Sequence, residues 1–328
     1  MNQPGDVLKS VQEFMKSRII LSGAELDLFT LIGKGFDTAK ILAEKTGSDL
    51  RGITRLLDAN VACKMLKKNG DCYSLSQEGK FLSADHPETV LPMVMHMNEI
   101  WNSWSDLTKI AVKGQNPHKQ SPSKQGEDSM RAFIGAMHVA GRQLSRQIAA
   151  ELDLSSYKKL LDIGGASGTY TMAFLEKNPD MQAIIFDLPG VISLAKERIS
   201  EAGIKDRVGF HEGDFYHDPL PEGCDLALLS AIIHQNSPAQ NLDLYKKIFK
   251  ALVPGGSLLI RDHIMEEDRV HPPEGAIFAI NMLAATEGGD TYTFKEIQSS
   301  LKEAGFKNAQ LLRQGEKMDG VVKAEKPA

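Results

Sequence analysis

The sequence predicts a mostly parallel α/β sheet with helices on both faces, preceded by a smaller, mainly helical unit. Three observations carry that expectation. From Lys159 onward, short apolar runs ("KLLDIGG", "AIIFDLP", "VGFHEGDF", "CDLALLSAIIH", "GSLLIRDHI") alternate with helical stretches, the pattern of a parallel sheet. The first run ends in a glycine turn, "DIGGASG", at the strand end where ligands of such sheets bind. Earlier in the chain the apolar residues recur at helical spacing instead, which divides it into residues 1–98 and 99–328, the second part including the linking helices.

Composition narrows the function classes. A chain of 328 residues, 42% hydrophobic and 25% charged, is long enough for about two domains with cores of their own. A net charge of -5 argues against a nucleic-acid or membrane-surface role, which needs clustered Lys and Arg. Cys63, Cys72 and Cys224 are odd in number and lack metal-ligand spacing, so idle thiols in a reducing cytoplasm are expected, and no metal. No run reaches the roughly 18 to 20 apolar residues of a membrane span. The start, "MNQPGDVLKS", has no export-signal pattern, and a cytoplasmic location is expected.

Taking the elements in order, residues 7–32 carry Val11, Phe14, Met15, Ile19, Leu26, Leu28 and Leu31 at helical spacing, interrupted at Gly23, which predicts two short helices. Asp37 or Thr38 can cap a helix over Ala39 to Thr46, Gly47 turns the chain, and Leu50 to Cys63 reads as a second helix. "MLKKNGDCYSLSQEGKFL" then reads as a hairpin about an Asn-Gly turn. Helix, turn, helix, hairpin is the winged-helix plan. Its seven basic against four acidic residues between Asp37 and Gly70 are a small, scattered excess, so a scaffold pairing with a second subunit is expected rather than a DNA-binding surface. Residues 88–112, with Val90, Leu91, Met93, Val94, Met97, Ile100, Trp101, Trp104 and Leu107, read as a buried helix. Residues 114–127 read as a polar loop, and a helix from about Ser129 to Leu152 leads into the glycine turn. The last segment, "NAQLLRQGEKMDGVVKAEK", reads as an antiparallel strand pair.

The glycine turn and the acids that follow it distinguish two cofactor classes. Gly164, Gly165 and Gly168 let backbone approach a ligand closely, but their spacing is not the G-x-G-x-x-G of a dinucleotide site. Asp162, just before the turn, suits a ligand with a cationic amino-acid end better than a pyrophosphate. Asp187 closes the second strand, beside Leu188, and can accept both hydroxyls of a ribose. Asp214, past the third strand, can accept the exocyclic amine of adenine while Phe215 covers the ring. Three acids in order at strand ends favour S-adenosylmethionine over a nicotinamide, with Ser230, closing the fourth strand, added to the cofactor group.

With the N-terminal plan, these residues resemble the dimeric small-molecule O-methyltransferase family of caffeic acid and hydroxyindole O-methyltransferases and bacterial polyketide-tailoring enzymes. The resemblance rests on "LAEKTG", "YSLSQEGKFL", "FIGAM", "LLDIGGASG", "FDLPGVI", "GDF", "LLSAIIHQNSP" and "LVPGGSLLIRDHI", spread over nearly the whole chain. It implies a Rossmann-like class I methyltransferase domain with an antiparallel terminal strand pair, behind a winged-helix dimerisation domain that helps wall the partner's site in a homodimer. It also implies S-adenosyl-L-methionine as cofactor, S-adenosyl-L-homocysteine as product and His234 as general base. A phenol with a pKa of about 10 needs such a base to take its proton as oxygen attacks the sulfonium methyl.

Departures from the family accompany the match. Gln235 and Asn236 stand where an acid and a tryptophan commonly follow the histidine. Of two orienting glutamates, the first maps to Asp262, a shorter carboxylate, and the second to about Thr291, with Asp290 the nearest acid. Ser230 and Ala231 occupy the place of a common basic residue. The orienting shell is therefore expected to be weakened, and whether Thr291, Asp290 or Gln235 compensates stays open. Met137 matches a methionine that packs on the acceptor ring, and Trp104, Phe133, His138, His263, Asn281 and Met282 complete the substrate candidates. The leading expectation is methylation of a hydroxyl on an aromatic or polycyclic small molecule. The alternatives are carbon methylation of a tetrapyrrole-like or other small molecule, a non-catalytic ligand-sensing winged-helix regulator, and a nicotinamide oxidoreductase.

Overall fold

The computed structural model describes residues 3–116 and 127–328, except the side chains of residues 127–133, 136 and 140. Contacts divide the chain into two compact units, Met1–Trp101 and Asn102–Ala328.

The first unit holds α1 (Pro4–Glu25), α2 (Leu28–Gly33), α3 (Ala39–Thr46), α4 (Leu50–Ala62), the hairpin β1 (Leu66–Asn69) and β2 (Cys72–Leu75), and most of α5 (Leu91–Ser105). Local chemistry sets the winged-helix elements. The Thr38 hydroxyl accepts from Ile41 N at 3.4 Å and the Asp49 carboxylate from Gly52 N at 2.8 Å, each satisfying a free donor at a helix start. Gly47, at φ 65°, ends α3. Leu28, Phe29, Leu42, Ile53, Leu57, Leu66 and Tyr73 form the core of this unit.

Two expectations fail here. Residues before Gly33 do not form two short helices broken at Gly23: α1 runs through that glycine, and the break falls at Asp27, in the left-handed region at φ 54°. Gly23 is a packing residue, because a Cβ there would sit 3.1 Å from the Phe29 ring and from Asn60 Nδ2. Nor do residues 88–112 make one buried helix. They form α5 and α6 (Leu107–Lys113); no residue of α5 is buried, and α6 buries Ile110. In the loop expected over 114–127, residues 117–126 lie outside the described residues.

The second unit continues with α7 (Glu127–Glu151), β3 (Lys159–Ile163), α8 (Thr169–Lys177), β4 (Gln182–Asp187), α9 (Pro189–Glu201), β5 (Val208–Glu212) and β6 (Cys224–Ser230). Then follow α10 (Pro238–Ala251), β7 (Leu252–Asp262), β8 (Ile264–Met265), α11 (Pro273–Ala285), β9 (Tyr292–Thr293), α12 (Phe294–Glu303), β10 (Lys307–Arg313) and β11 (Gly320–Glu325). The seven-stranded sheet runs β10-β11-β7-β6-β3-β4-β5. Strands β3 to β7 pair in parallel, and β11 is antiparallel to both neighbours.

Alternate side chains enter two cores. Leu161, Leu229, Ile260 and Val322 face one, with Leu244 and Ile248 of α10; Leu160, Ile185, Leu228 and Leu259 face the other, with Ile148 of α7 and Phe174 of α8. Burial on both faces explains why these strands read as unbroken apolar runs. Successive strands leave β3 toward β4 on one side and β6 on the other, so the topological switch point, where ligands of such sheets bind, lies between the turn after β3 and the end of β6.

Candidate active site

The turn after β3 is built on close approach. Gly164 lies at φ 68°, and a Cβ there would sit 2.5 Å from Ile232 Cδ1 and 3.7 Å from the Phe215 ring. At Gly165 a Cβ would sit 2.9 Å from Asp162 Cγ. Asp162 is thus buried against the turn, accepting from the Thr171 hydroxyl at 2.7 Å, and burial pushes its carboxyl up to about 6 against that bond. Gly168 precedes α8 as its cap residue.

Asp187 holds the turn from the next strand. Its Oδ2 accepts from Ala166 N and its Oδ1 from Leu188 N, both at 2.8 Å. The carboxyl is half-buried, and burial pushes it up to about 6 in spite of these bonds. Leu188 is exposed beside it. Past β5, Asp214 Oδ1 accepts from Tyr216 N at 2.9 Å and Oδ2 lies 2.8 Å from His217 Nδ1. The three acids therefore line the ends of three adjacent strands, and Phe215 comes back beside Gly164. Ser230 is already engaged: its hydroxyl accepts from Arg261 Nε at 3.0 Å and Nη2 at 2.8 Å. Arg261, its register partner on β7, also donates to Met318 O and lies over the Tyr170 ring. Sequence reading missed Arg261, although an arginine directly after the apolar run "LLI" of a buried strand is a signal that it has a partner.

On the other side of the switch point, Ala231 at φ 59° turns the chain into a short 3-10 turn, Ile233–Gln235, that carries His234. Because β6 and β7 are parallel with Ser230 opposite Arg261, the residues at their ends meet: His234 Nδ1 lies 2.9 Å from both carboxylate oxygens of Asp262. The short carboxylate reaches the ring. Burial works to raise the Asp262 carboxyl, but the His234 charge and hydrogen bond and the Arg261 charge outweigh it, leaving the carboxyl below its usual value. An ionised carboxylate only accepts, so a proton sits on Nδ1 toward it, and in the neutral imidazole the lone pair is then on Nε2. Asp290 supports the backbone instead: its N–H donates to His234 O at 2.9 Å while its carboxylate lies 3.6 Å from Arg269. Thr291 is buried next to it, and Gln235 N donates to Ile232 O.

Of the substrate candidates, His263 follows Asp262 and packs on Phe278, whose ring also meets His234 edge-on, both with centroids 4.9 Å apart. Trp104 Nε1 donates to Asn281 Oδ1 at 3.0 Å. Met282 is buried. Phe278 was missed, although Phe278, Asn281 and Met282 share the i, i+3, i+4 spacing of one helix face. His138 lies elsewhere: its Nδ1 is 2.8 Å from the Thr169 hydroxyl at the start of α8, beside the glycine turn. Burial, helped by the Arg198 and Arg142 charges, pushes it down to about 4. Met137 is half-buried, and the Phe133 side chain lies outside the described residues.

Comparison with known proteins follows the same division. A family model described as an O-methyltransferase dimerisation domain matches residues 8–85, and one described as an O-methyltransferase domain matches residues 114–307. Acetylserotonin O-methyltransferase of Gallus gallus is 29% identical over 341 residues, covering 98% of this chain and 97% of that protein. The tetracenomycin polyketide synthesis 8-O-methyl transferase of Streptomyces glaucescens is 32% identical over 314 residues, covering 92% and 91%. Human N-acetylserotonin methyltransferase, solved in complex with SAM, shares the fold with a TM-score of 0.86 at 24% identity, over 100% of this chain and 99% of that one. Among the described residues no helix is long and apolar enough to cross a membrane. The two family matches and the relatives that run the length of the sequence agree, and this chain belongs to the S-adenosylmethionine-dependent O-methyltransferase family.

Proposed function

We propose that this enzyme methylates a hydroxyl of an aromatic or polycyclic small molecule, with His234 as general base. The observation that carries the reading is the His234–Asp262 pair, 2.9 Å apart, at the switch point beside the glycine turn. When bound, S-adenosylmethionine supplies an electrophilic methyl group. Asp187 would accept the ribose hydroxyls, Phe215 and Leu188 would give apolar cover to the adenine, and the Gly164 turn, at φ 68° beside Phe215, would hold the part of the ligand between them. His234 Nε2 would take the proton of the acceptor hydroxyl as its oxygen bonds to the methyl carbon and the methyl–sulfur bond breaks, with S-adenosylhomocysteine as the leaving group. Phe278 holds the imidazole edge-on, so the ring meets the acceptor already oriented. Incubation with methyl-labelled S-adenosylmethionine and a panel of phenols, naphthols and polycyclic hydroxyaromatics should give O-methyl ethers. Label on carbon, or cofactor binding without transfer to any acceptor, overturns the reading.

Two further results are expected from the same site. S-adenosylhomocysteine should bind more tightly as pH rises through about 6, because the ionised Asp187 carboxylate accepts both ribose hydroxyls. Calorimetric titration from about pH 5 to 7.5 should show this in the parent and a flat, weaker profile in Asp187→Asn, since one charged hydrogen bond contributes roughly 1.5 to 3 kcal/mol. The stability linkage runs the other way. Asp162 and Asp187, raised from 3.8 to about 6, stabilise the fold most below their unfolded value, and that contribution is lost as pH rises through about 6. Gly289→Ala should lower turnover more than about tenfold with little change in cofactor affinity, because its Cβ would overlap the His234 carbonyl oxygen and push the base out of place. Steady-state kinetics beside the same titration separates the two effects.

The chain should also act as a homodimer. Val7, Leu8, Val11, Phe14 and Met15 are exposed along α1, and Met97 on α5, more apolar surface than a monomer normally shows. The dimerisation-domain match covers most of α1. Light scattering at low micromolar concentration decides this, and an active monomer overturns it.

A further inference from the structure

We propose that Asn236 is a positioning residue that ties the loop Asp214–Asp218 to the turn carrying His234, so that filling the cofactor's adenine end steadies the base. The inference rests on the assignment of that loop to the cofactor in the preceding section.

Asn236 is fully buried, and all four of its nitrogen and oxygen atoms are bonded. Its Oδ1 accepts from the Tyr216 hydroxyl at 2.5 Å, its Nδ2 donates to Asn241 Oδ1 at 3.0 Å, its carbonyl accepts from the Tyr292 hydroxyl, and its N–H donates to Ile233 O at 3.3 Å. Asn241 Nδ2 in turn donates to Ile233 O at 2.9 Å. That last contact sets the direction of the chain. A carbonyl oxygen can only accept, so Asn241 presents its amide nitrogen to Ile233 and its oxygen to Asn236. Asn236 must then offer Nδ2 to Asn241 and Oδ1 to Tyr216, which donates. Ile233 immediately precedes His234, so the network ends on the backbone of the base.

At its other end the network joins a loop that is itself clamped. Lys247 Nζ donates to the carbonyls of Phe215, Tyr216 and Asp218 at 2.9, 2.9 and 3.1 Å. Lys247 and Asn241 both belong to α10, so one helix anchors the adenine-side loop and the base turn. A fully satisfied buried network of this kind holds one arrangement. Asn236, Asn241 and Tyr292 are buried, whereas Tyr216 is 41% exposed. The network's exposed end is therefore the one on the cofactor loop, and ordering Tyr216 there orders the turn at the other end.

Hydrogen exchange of the full-length enzyme, with and without S-adenosylhomocysteine, tests the link. In the parent, the ligand should slow exchange in peptides covering 214–218 and also 232–236. Tyr216→Phe removes one hydroxyl from a part-exposed side chain and should keep the fold. In that variant protection should persist at 214–218 and disappear at 232–236, while kcat falls about fivefold to tenfold, the worth of one hydrogen bond, with the KM for S-adenosylmethionine nearly unchanged. Asn236→Ala should reproduce the pattern from the other side of the bond. Protection at 232–236 that survives Tyr216→Phe overturns the proposal. Absence of protection at 214–218 in the parent overturns the cofactor assignment beneath it, a result distinguishable from the first.

Discussion

Replacing His234 by Ala is expected to lower turnover about a hundredfold to ten-thousandfold, the usual worth of a general base, while S-adenosylhomocysteine binds with parental affinity. The separation follows from where the side chain sits. Its ring meets Asp262 and Phe278, beyond the end of β6, whereas the glycine turn, Asp187 and Phe215 line the ends of β3 to β5. Truncation also leaves Asp262 buried without its main partner, which destabilises the fold as well. A second variant, His234→Gln, restores a donor for Asp262 without a base of useful strength, so it should recover melting temperature and leave turnover low. Single-turnover transfer rates alongside calorimetric titration measure the two arms. Retention of most of the turnover by both variants would remove His234 from proton transfer and favour carbon methylation, or an acceptor acidic enough to need no base.

The parts of this molecule that were legible in sequence are those decided locally. Helices α3 and α4 were placed to within a residue because Thr38, one of two cap candidates, and Gly47 mark the ends of the first, and the turn at Gly47 leads into the second, whose cap, Asp49, the structure adds. The parallel strands were legible because both of their faces are buried, so periodicity could not hide them. Gly23 misled for the opposite reason. A glycine in an apolar run reads as a break, and only the approach of Phe29 and Asn60, residues distant in sequence or on another helix, makes it a contact. The extent to which α5 is buried was likewise beyond reach, since apolar residues show that a face needs cover and not what covers it.

The site divides along the same line. His234 and Asp262 were singled out because the family resemblance places both, yet the resemblance alone left open whether an aspartate could reach the ring; the register of β6 on β7 brings the two within 2.9 Å. Arg261, Phe278 and Lys247 were missed because each acts through contacts with Ser230, His234 or Phe215 on elements distant in sequence. His138 was grouped with Met137 although successive residues point about 100° apart around a helix. One residue of that pair can face an acceptor while the other turns to Thr169, as His138 does.

Asp262→Asn should cost nearly as much turnover as removing His234, about a hundredfold to ten-thousandfold. The carboxylate is 1% exposed, lies 2.9 Å from Nδ1 through either oxygen, and accepts in addition from His263 N at 2.8 Å. Only an acceptor in that place holds the proton on Nδ1 and leaves Nε2 free for the substrate. The amide can instead turn its nitrogen to Nδ1, which puts the proton on Nε2, where it blocks the reaction. Because the two residues act as a unit, the His234→Ala/Asp262→Asn double variant should be little slower than either single one, and additive losses in a double-mutant cycle would show that Asp262 acts independently. The same pair sets an acid limit on the fold. The Asp262 carboxyl lies below its unfolded value of 3.8, so its contribution to stability is present above that value and lost as pH falls through the folded one. Thermal melts of the parent should therefore lose, over the most acidic part of the range, an increment that Asp262→Asn never had. Melts of equal acid sensitivity in the two proteins would mean that His234 does not hold the carboxylate ionised.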